Sequence, residues 1–406
     1  MVGPLSLPRM SKLAQRITSL PESATIAMAK MSRELKAQGR DIISLSLGEP
    51  DFNTPEHIKA AAHAAIDADY SHYTPVPGYA DVREAICRKF ARDNNLHFEP
   101  NQIVMSTGAK QSVANAVFCL VDPGQEVILP APFWVSYEAM VKLAQGVAVP
   151  IPTSIDQDYK ISPEQLQSVL TEKSKLMIFS SPCNPSGSVY TKAELEALAE
   201  VIAGHPDLHV VSDEIYEHIL FEGEKFSIGS IASIADRVIT VNGLSKAYAM
   251  TGWRLGFMGA SQAIAAACSK FQGQFTSATN SIAQRAVIAA LDGDQSPTLE
   301  MREAFLRRRA LLGDLLAQIP GLRTNTPEGA FYHFPDVSAF FGKSLGDRQI
   351  DSADDLCMYL LEEAGVGLVA GTSFGAPNCI RLSYAAADEV LVEAARRITA
   401  ALAKLN

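Results

Sequence analysis

Two basic residues eight positions apart, Lys246 and Arg254, offer one specific chemistry. The run that carries them reads Ser245-Lys246-Ala247-Tyr248-Ala249-Met250-Thr251-Gly252-Trp253-Arg254. The apolar stretch Val238 to Val241 ahead of it predicts a buried strand. An amine just past a strand end can condense with an aldehyde to form a Schiff base. A guanidinium nearby can hold a phosphate on the same molecule. Most lysines simply sit solvated in loops, so the case for Lys246 rests on what accompanies it.

Several other residues have types that suit the same ligand. Ser106-Thr107-Gly108-Ala109-Lys110-Gln111 lies between a strand candidate and a helical run, where free backbone N–H groups can cradle a phosphate. A plain strand-to-helix turn has the same composition. Ser212-Asp213-Glu214-Ile215-Tyr216 ends another apolar run, and a buried acid is costly unless it is paired. A protonated pyridine nitrogen would pair with Asp213, and Tyr216 would then reach the ring's phenolic oxygen; a helix-capping aspartate is the simpler alternative. In Ser180-Ser181-Pro182-Cys183-Asn184-Pro185-Ser186-Gly187, two prolines and a glycine make a rigid loop that either aims Asn184 at a ligand oxygen or merely turns. Trp134, in Pro132-Phe133-Trp134-Val135-Ser136-Tyr137, can stack on a flat ring or fill the core. Arg381, within Cys379-Ile380-Arg381-Leu382-Ser383-Tyr384, is a strand arginine that needs an anion. A carboxylate accepted bidentately is the natural one, and a structural ion pair is the alternative.

The elements that must position these residues alternate. Strand candidates are Ile103 to Met105, Glu126 to Leu129, Leu176 to Phe179, His209 to Ser212, Val238 to Val241 and Leu255 to Met258. Helical segments between them have clean starts. Thr54-Pro55-Glu56 predicts an N-cap with proline at the first helical position. Thr191-Lys192-Ala193-Glu194 is a capping box, and Asp122-Pro123-Gly124 a turn. This alternation predicts an α/β fold with a mostly parallel sheet covered on both faces. In such sheets ligands bind beyond the carboxyl ends of the strands, where most of the suggestive residues fall. The C-terminal part differs. A charged helix from Leu299 to Gln318 precedes short strands at Phe331 to Phe334, Val366 to Val369 and Cys379 to Ser383, and a last helix spans Glu389 to Leu405. This reads as a smaller α+β domain. The expected partition is an N-terminal segment 1–50 packing with the small domain, a large domain 51–298 and a small domain 299–406. Arg307, Arg308 and Arg309 are expected on a solvated helix face.

Composition narrows the function. The 406 residues are 47% hydrophobic and 20% charged, with net charge -10, an ordinary globular balance. An acidic chain with pI about 5.4 argues against nucleic-acid binding, which needs a basic face. Six cysteines, Cys87, Cys119, Cys183, Cys268, Cys357 and Cys379, are scattered without metal-ligand or disulfide-framework spacing, so no metal is expected. No run is long enough to span a bilayer, and Met1 to Arg9 lack the apolar core of a signal peptide. A cytoplasmic protein is expected, with Met10 a possible native start.

Together these motifs resemble the pyridoxal-phosphate-dependent aminotransferases of fold type I, above all the bacterial aspartate aminotransferases. The most specific stretches are Leu47-Gly48-Glu49-Pro50-Asp51-Phe52, Tyr73-Thr74-Pro75, Asn184-Pro185, Ser212 to Tyr216, Ser245 to Arg254 and Arg381 to Tyr384. The resemblance implies that Lys246 holds pyridoxal 5'-phosphate as a Schiff base and later moves the Cα proton. It implies that Asp213 keeps the pyridine nitrogen protonated and that Tyr216 and Asn184 bond the ring oxygen. By the same resemblance Trp134 would stack on the ring and, with Asn184, border the substrate. On the same resemblance Gly108, Ala109 and Arg254 would hold the phosphate, Lys110 and Ser245 would also contact the cofactor, and Tyr73 would reach the phosphate from a second copy of the chain. Gly48 and Arg381 would bind the substrate, Arg381 through its α-carboxylate. A homodimer with shared sites, amino-acid and 2-oxo-acid substrates and ping-pong kinetics are implied as well.

For a dicarboxylic substrate the resemblance assigns the distal carboxylate to Lys110, assisted by Thr25. Some positions depart from the family pattern. Gly243 replaces a phosphate-binding serine, Cys183 a polar residue, and Leu20-Pro21-Glu22 lacks the basic residue that relatives acting on prephenate use. The leading expectation is transamination between L-aspartate and 2-oxoglutarate. The alternatives are an aminotransferase for aromatic or other neutral amino acids, a lyase on the same scaffold, and a non-catalytic regulatory module. The acidic charge and the complete catalytic set argue against the last.

Overall fold

A computed structural model describes residues 13–406 of the protein. The expectations for Met1 to Arg9 and Met10 lie outside the described residues.

Seven strands form the central sheet: β1 (Ile103–Thr107), β2 (Glu126–Pro130), β3 (Val147–Ile151), β4 (Ser174–Ser180), β5 (His209–Asp213), β6 (Val238–Gly243) and β7 (Leu255–Gly259). Their order across the sheet is β1-β7-β6-β5-β4-β2-β3. Neighbours from β3 through β6 pair in parallel, whereas β7 runs antiparallel to both β6 and β1. Successive side chains in a strand face opposite ways. In β2, Val127 and Leu129 therefore join one apolar cluster with Val113 and Val117 of the helix Ala109–Leu120, while Ile128 joins another with Leu195 and Leu198 of the helix Lys192–Ala203. Each such burial contributes roughly 1.5–3 kcal/mol. Apolar side chains on both faces explain why these strands read as continuous hydrophobic runs.

The edge strand β3 was not expected. Val147, Ala148 and Val149 are partly exposed, so the segment is too short and too mixed to stand out. Its Pro150 is tolerated because an edge strand has one unpaired side. Thr54 does not cap the next helix: Pro55 is the N-cap of Glu56–Asp67, and the Thr54 hydroxyl instead donates to the Ala249 carbonyl at 2.9 Å. The Thr191 capping box is present, its Oγ1 accepting from the Glu194 N–H.

Toward the C-terminus a second, three-stranded antiparallel sheet orders Val369–Ala370, Ile380–Ser383 and Tyr332–His333. The expected strand Val366 to Val369 breaks at Leu368, because Val366–Gly367 pairs in parallel with Ile43–Ser44 instead. Met28, Ile42 and Leu45 from the N-terminal segment share an apolar cluster with Phe305, Leu312, Leu391 and Ile398 from the helices Ser296–Ala317 and Asp388–Leu402. Of the arginine triplet, Arg307 is exposed as expected and Arg309 half-buried, but Arg308 departs from the expectation. Arg308 is buried and donates to Asp51 at 2.7 and 2.9 Å and to Asp388 at 3.3 Å. Its two aspartate partners offset part of the cost of burying the guanidinium.

Candidate active site

The carboxyl ends of the parallel strands open onto one cavity of about 230 Å³. Ser180 ends β4, Asp213 ends β5, and Ser245 and Lys246 follow β6; all four line it. The direction of β7 matters here. Being antiparallel, it begins at the rim where its neighbours end, so Arg254, one residue before Leu255, stands at the same rim as the carboxyl end of β1. Arg254 has a left-handed φ of 56° and donates to the Thr251 carbonyl at 2.9 Å.

The turn after β1 is built for close approach. Gly108 has φ of 82°, and a Cβ there would meet the Arg254 guanidinium. A Cβ at Gly256, in β7 beneath the turn, would fall on the Ala109 nitrogen. Glycine at both places lets the start of the helix Ala109–Leu120 lie against Arg254. The first N–H groups of a helix have no partner within it, and Ala109 and Lys110 line the cavity. A cation beside free amide donors is a suitable seat for a phosphate. The same crowding explains Gly243, where a Cβ would lie 2.7 Å from the Leu255 carbonyl oxygen.

Lys246 Nζ donates to the Gly48 carbonyl at 2.5 Å and lies 5.8 Å from the centre of the Tyr216 ring. Burial, and then the nearby Arg381 charge, lower its pKa to about 8. Asp213 is 5% exposed, and burial raises its pKa even though the Tyr137 hydroxyl donates to Oδ2 at 2.7 Å and the Ile215 N–H to Oδ1 at 3.3 Å. Among the described residues it has no ion-pair partner. A protonated ring nitrogen supplies what this acid lacks.

Arg381 is 2% exposed. It donates to Asn184 Oδ1 at 2.8 Å and to the Ser46 carbonyl at 2.6 Å, while its Nε has no hydrogen-bond partner. It lies 4.6 Å from the Tyr332 ring centre and 5.0 Å from that of Phe374. Burial lowers its pKa. The structural ion pair that would have explained it is absent among the described residues, so a buried cation faces the cavity without an anion. A substrate carboxylate fits it. Lys110 lies 4.9 Å from the Trp134 ring centre, and crowding by the protein and then Arg254 lower its pKa. Thr25 Oγ1 is buried and unpartnered at the same cavity.

Of the residues singled out in the sequence, Lys246, Asp213, Tyr216, Ala109, Lys110, Trp134, Asn184, Ser245, Arg254, Gly48, Arg381 and Thr25 line this one cavity. Gly108 stands immediately behind it against Arg254. Tyr73 does not line it and is 99% exposed. Two buried tyrosines were missed. Tyr137 holds Asp213, and Tyr332 shares a 2.7 Å hydrogen bond with Tyr216. A signal for Tyr137 existed: it falls on the face of its helix that also carries Met140 and Val141, and a phenol on a buried face must find a partner.

Comparison with known proteins gives a consistent outcome. Residues 40–398 match the family model described as "Aminotransferase class I and II". The chain is 45% identical over 400 residues to an aspartate/prephenate aminotransferase of Cereibacter sphaeroides, covering 98% of this chain and all of that one. Its structure resembles the aspartate aminotransferase of Rhizobium meliloti, with a TM-score of 0.94, 38% identity and coverage of 98% and 100% of the two chains. The aspartate aminotransferase of Thermus thermophilus with maleate gives 0.91, 39%, 97% and 100%.

Proposed function

The chain belongs to the class I and II aminotransferases and is a transaminase, and from that premise we propose that it moves the amino group between L-aspartate and 2-oxoglutarate, yielding oxaloacetate and L-glutamate. One observation carries the reading. An amine of lowered pKa, an acid without a cation and a guanidinium without an anion line the same cavity.

Pyridoxal 5'-phosphate fits those deficits. Gly108, Ala109, Ser245 and Arg254 would hold its phosphate, Trp134 would cover the ring, Asp213 would pair with the ring nitrogen, and Asn184 and Tyr216 would bond the ring oxygen. When bound, it supplies an aldehyde that captures amines and a cationic ring that draws electrons from Cα. The remaining work falls to the protein. Arg381 binds the α-carboxylate, and Lys110 with Thr25 the distal one. Lys246 would hold the group through its amine. Its Nζ, of lowered pKa and so readily neutral, would take and later return the proton of the substrate Cα. A 2-oxo acid reverses these steps, which makes the kinetics ping-pong. We further propose a homodimer in which Tyr73, fully exposed on its own chain, reaches the phosphate of the second copy. Exposed Phe275, stacked on Phe271, supplies apolar surface for such an interface.

A dicarboxylic substrate is supported by the Lys110 cation at the cavity and by maleate, a dicarboxylate, in the Thermus thermophilus protein. The stacking of Lys110 on Trp134 favours a second reading, in which that cation stays on the ring and the enzyme prefers aromatic or other neutral amino acids. Steady-state assays with aspartate and with phenylalanine, each against 2-oxoglutarate, decide between them. Lys110→Ala is expected to cut kcat/KM for aspartate about tenfold to a hundredfold, the loss of one charge-assisted contact, and to spare phenylalanine. Equal losses on both would remove Lys110 from substrate recognition.

A further inference from the structure

Tyr332 has no role in the account so far, yet it touches three parts of the site. Its hydroxyl shares a 2.7 Å hydrogen bond with Tyr216. Its ring lies 4.6 Å from the Arg381 guanidinium. Its hydroxyl also occupies the space that a Cβ on Gly48 would fill, against the backbone whose carbonyl accepts from Lys246. The residue is fully buried, on a strand whose partner strand carries Arg381.

Resting on the cofactor site proposed above, we propose that Tyr332 is a positioning residue that donates its hydroxyl proton to Tyr216 and so turns the Tyr216 proton toward the cavity. Two phenols sharing one hydrogen bond use only one of their two protons. The more acidic phenol donates, and the neighbouring cation selects it. The titratable groups facing the pair are Arg381 and Tyr384 beside Tyr332, Lys246 beside the Gly48 backbone and 5.8 Å from the Tyr216 ring centre, and Asp213 on the Tyr216 side. Burial raises the pKa of both phenols and Arg381 opposes the rise at both, but at Tyr332, whose ring lies 4.6 Å from the guanidinium, Arg381 is the chief opposing cause, whereas at Tyr216 burial and Tyr332 itself outweigh it and Asp213 adds to the rise. Tyr332 is therefore the donor. The Tyr216 oxygen, its lone pair already occupied, presents its proton to an acceptor in the cavity, and accepting one hydrogen bond strengthens the one it donates. A cavity acceptor that becomes anionic, as the ring oxygen of the cofactor does, is stabilised by this arrangement. Glycine at 48 is required for it.

Visible absorption of the holoenzyme titrated against pH tests the assignment. Wild type must first show a pH-dependent band; its absence would overturn the cofactor site and this inference together. Tyr332→Phe keeps the ring over Arg381 and removes only the donor. Its titration midpoint is expected to rise by about half a unit to one unit, the size of one hydrogen bond, with KM for aspartate changed less than about twofold. A normal wild-type titration with an unmoved Tyr332→Phe midpoint would overturn the inference alone. Gly48→Ala, which pushes the hydroxyl aside, is expected to shift the midpoint in the same direction, and an opposite shift would count against the assignment.

Discussion

At the scale of single residues, the site is defined by groups in costly environments. Lys246, Asp213 and Arg381 are each enclosed, and each has its pKa displaced toward the neutral form by burial. Such displacements gather at functional sites. For Lys246 the sign gives a test. The neutral amine is the nucleophile, and its pKa is lowered to about 8. Uptake of pyridoxal phosphate by the apoprotein should therefore quicken about tenfold per pH unit below that value and level off above it. Stopped-flow absorbance would record this, and a rate that still climbed steeply well above it would mean that the lysine titrates normally. Much of this scale was legible. Lysine, arginine and aspartate at strand ends announce their chemistry by type and place. Tyr137 signalled only that its phenol needs a partner, and neither it nor Tyr332 announced which one, because Asp213 and Tyr216 are remote in sequence and only the folded chain joins them.

At the scale of elements, the proposed phosphate seat depends on glycines as well as on charged groups. β7 passes so closely beneath the turn after β1 that Gly256 leaves no room for a side chain. Gly256→Ala should lift that turn at a cost of about 1–3 kcal/mol. Cofactor affinity should fall about tenfold to a hundredfold, with far-ultraviolet circular dichroism preserved; unchanged affinity would separate the turn from the phosphate. The apolar runs of β1, β2, β4, β5, β6 and β7 were legible because two covered faces leave no alternation to misread. The edge strand β3 and the direction of β7 were not. A strand's hydrophobicity says nothing about which way it runs, and the placement of Arg254 depends on that direction.

At the scale of the whole molecule, distant segments are tied by buried charge. Lys89, 1% exposed, pairs with Glu217 and donates to Asn94 Oδ1 at 2.5 Å; Asn94 in turn donates to Glu214 Oε2 at 2.8 Å. Burial and the nearby Glu217 raise the Glu214 pKa to about 7. The helix Ala80–Asn94 is thus fastened to the turn immediately behind Asp213. The clustering of Asp93, Glu217 and His218 resembles a cation site, but the Lys89 ammonium already supplies the positive charge there. None of this was legible, since a lysine inside a helix and an acid in a loop are ordinarily solvated. The Arg308 bridge to Asp51 was misread for the same reason.

The reversal of β7 has an optical consequence. Asn242 pairs with Phe257 and Gly243 with Gly256, so the stretch carrying Lys246 and Arg254 is a loop whose two feet are clamped side by side. Neither foot can wander while the clamp holds. The yellow of the holoenzyme should then fade at the same denaturant concentration at which the backbone signal collapses, and colour lost well before that point would show that the clamp does not govern retention of the chromophore.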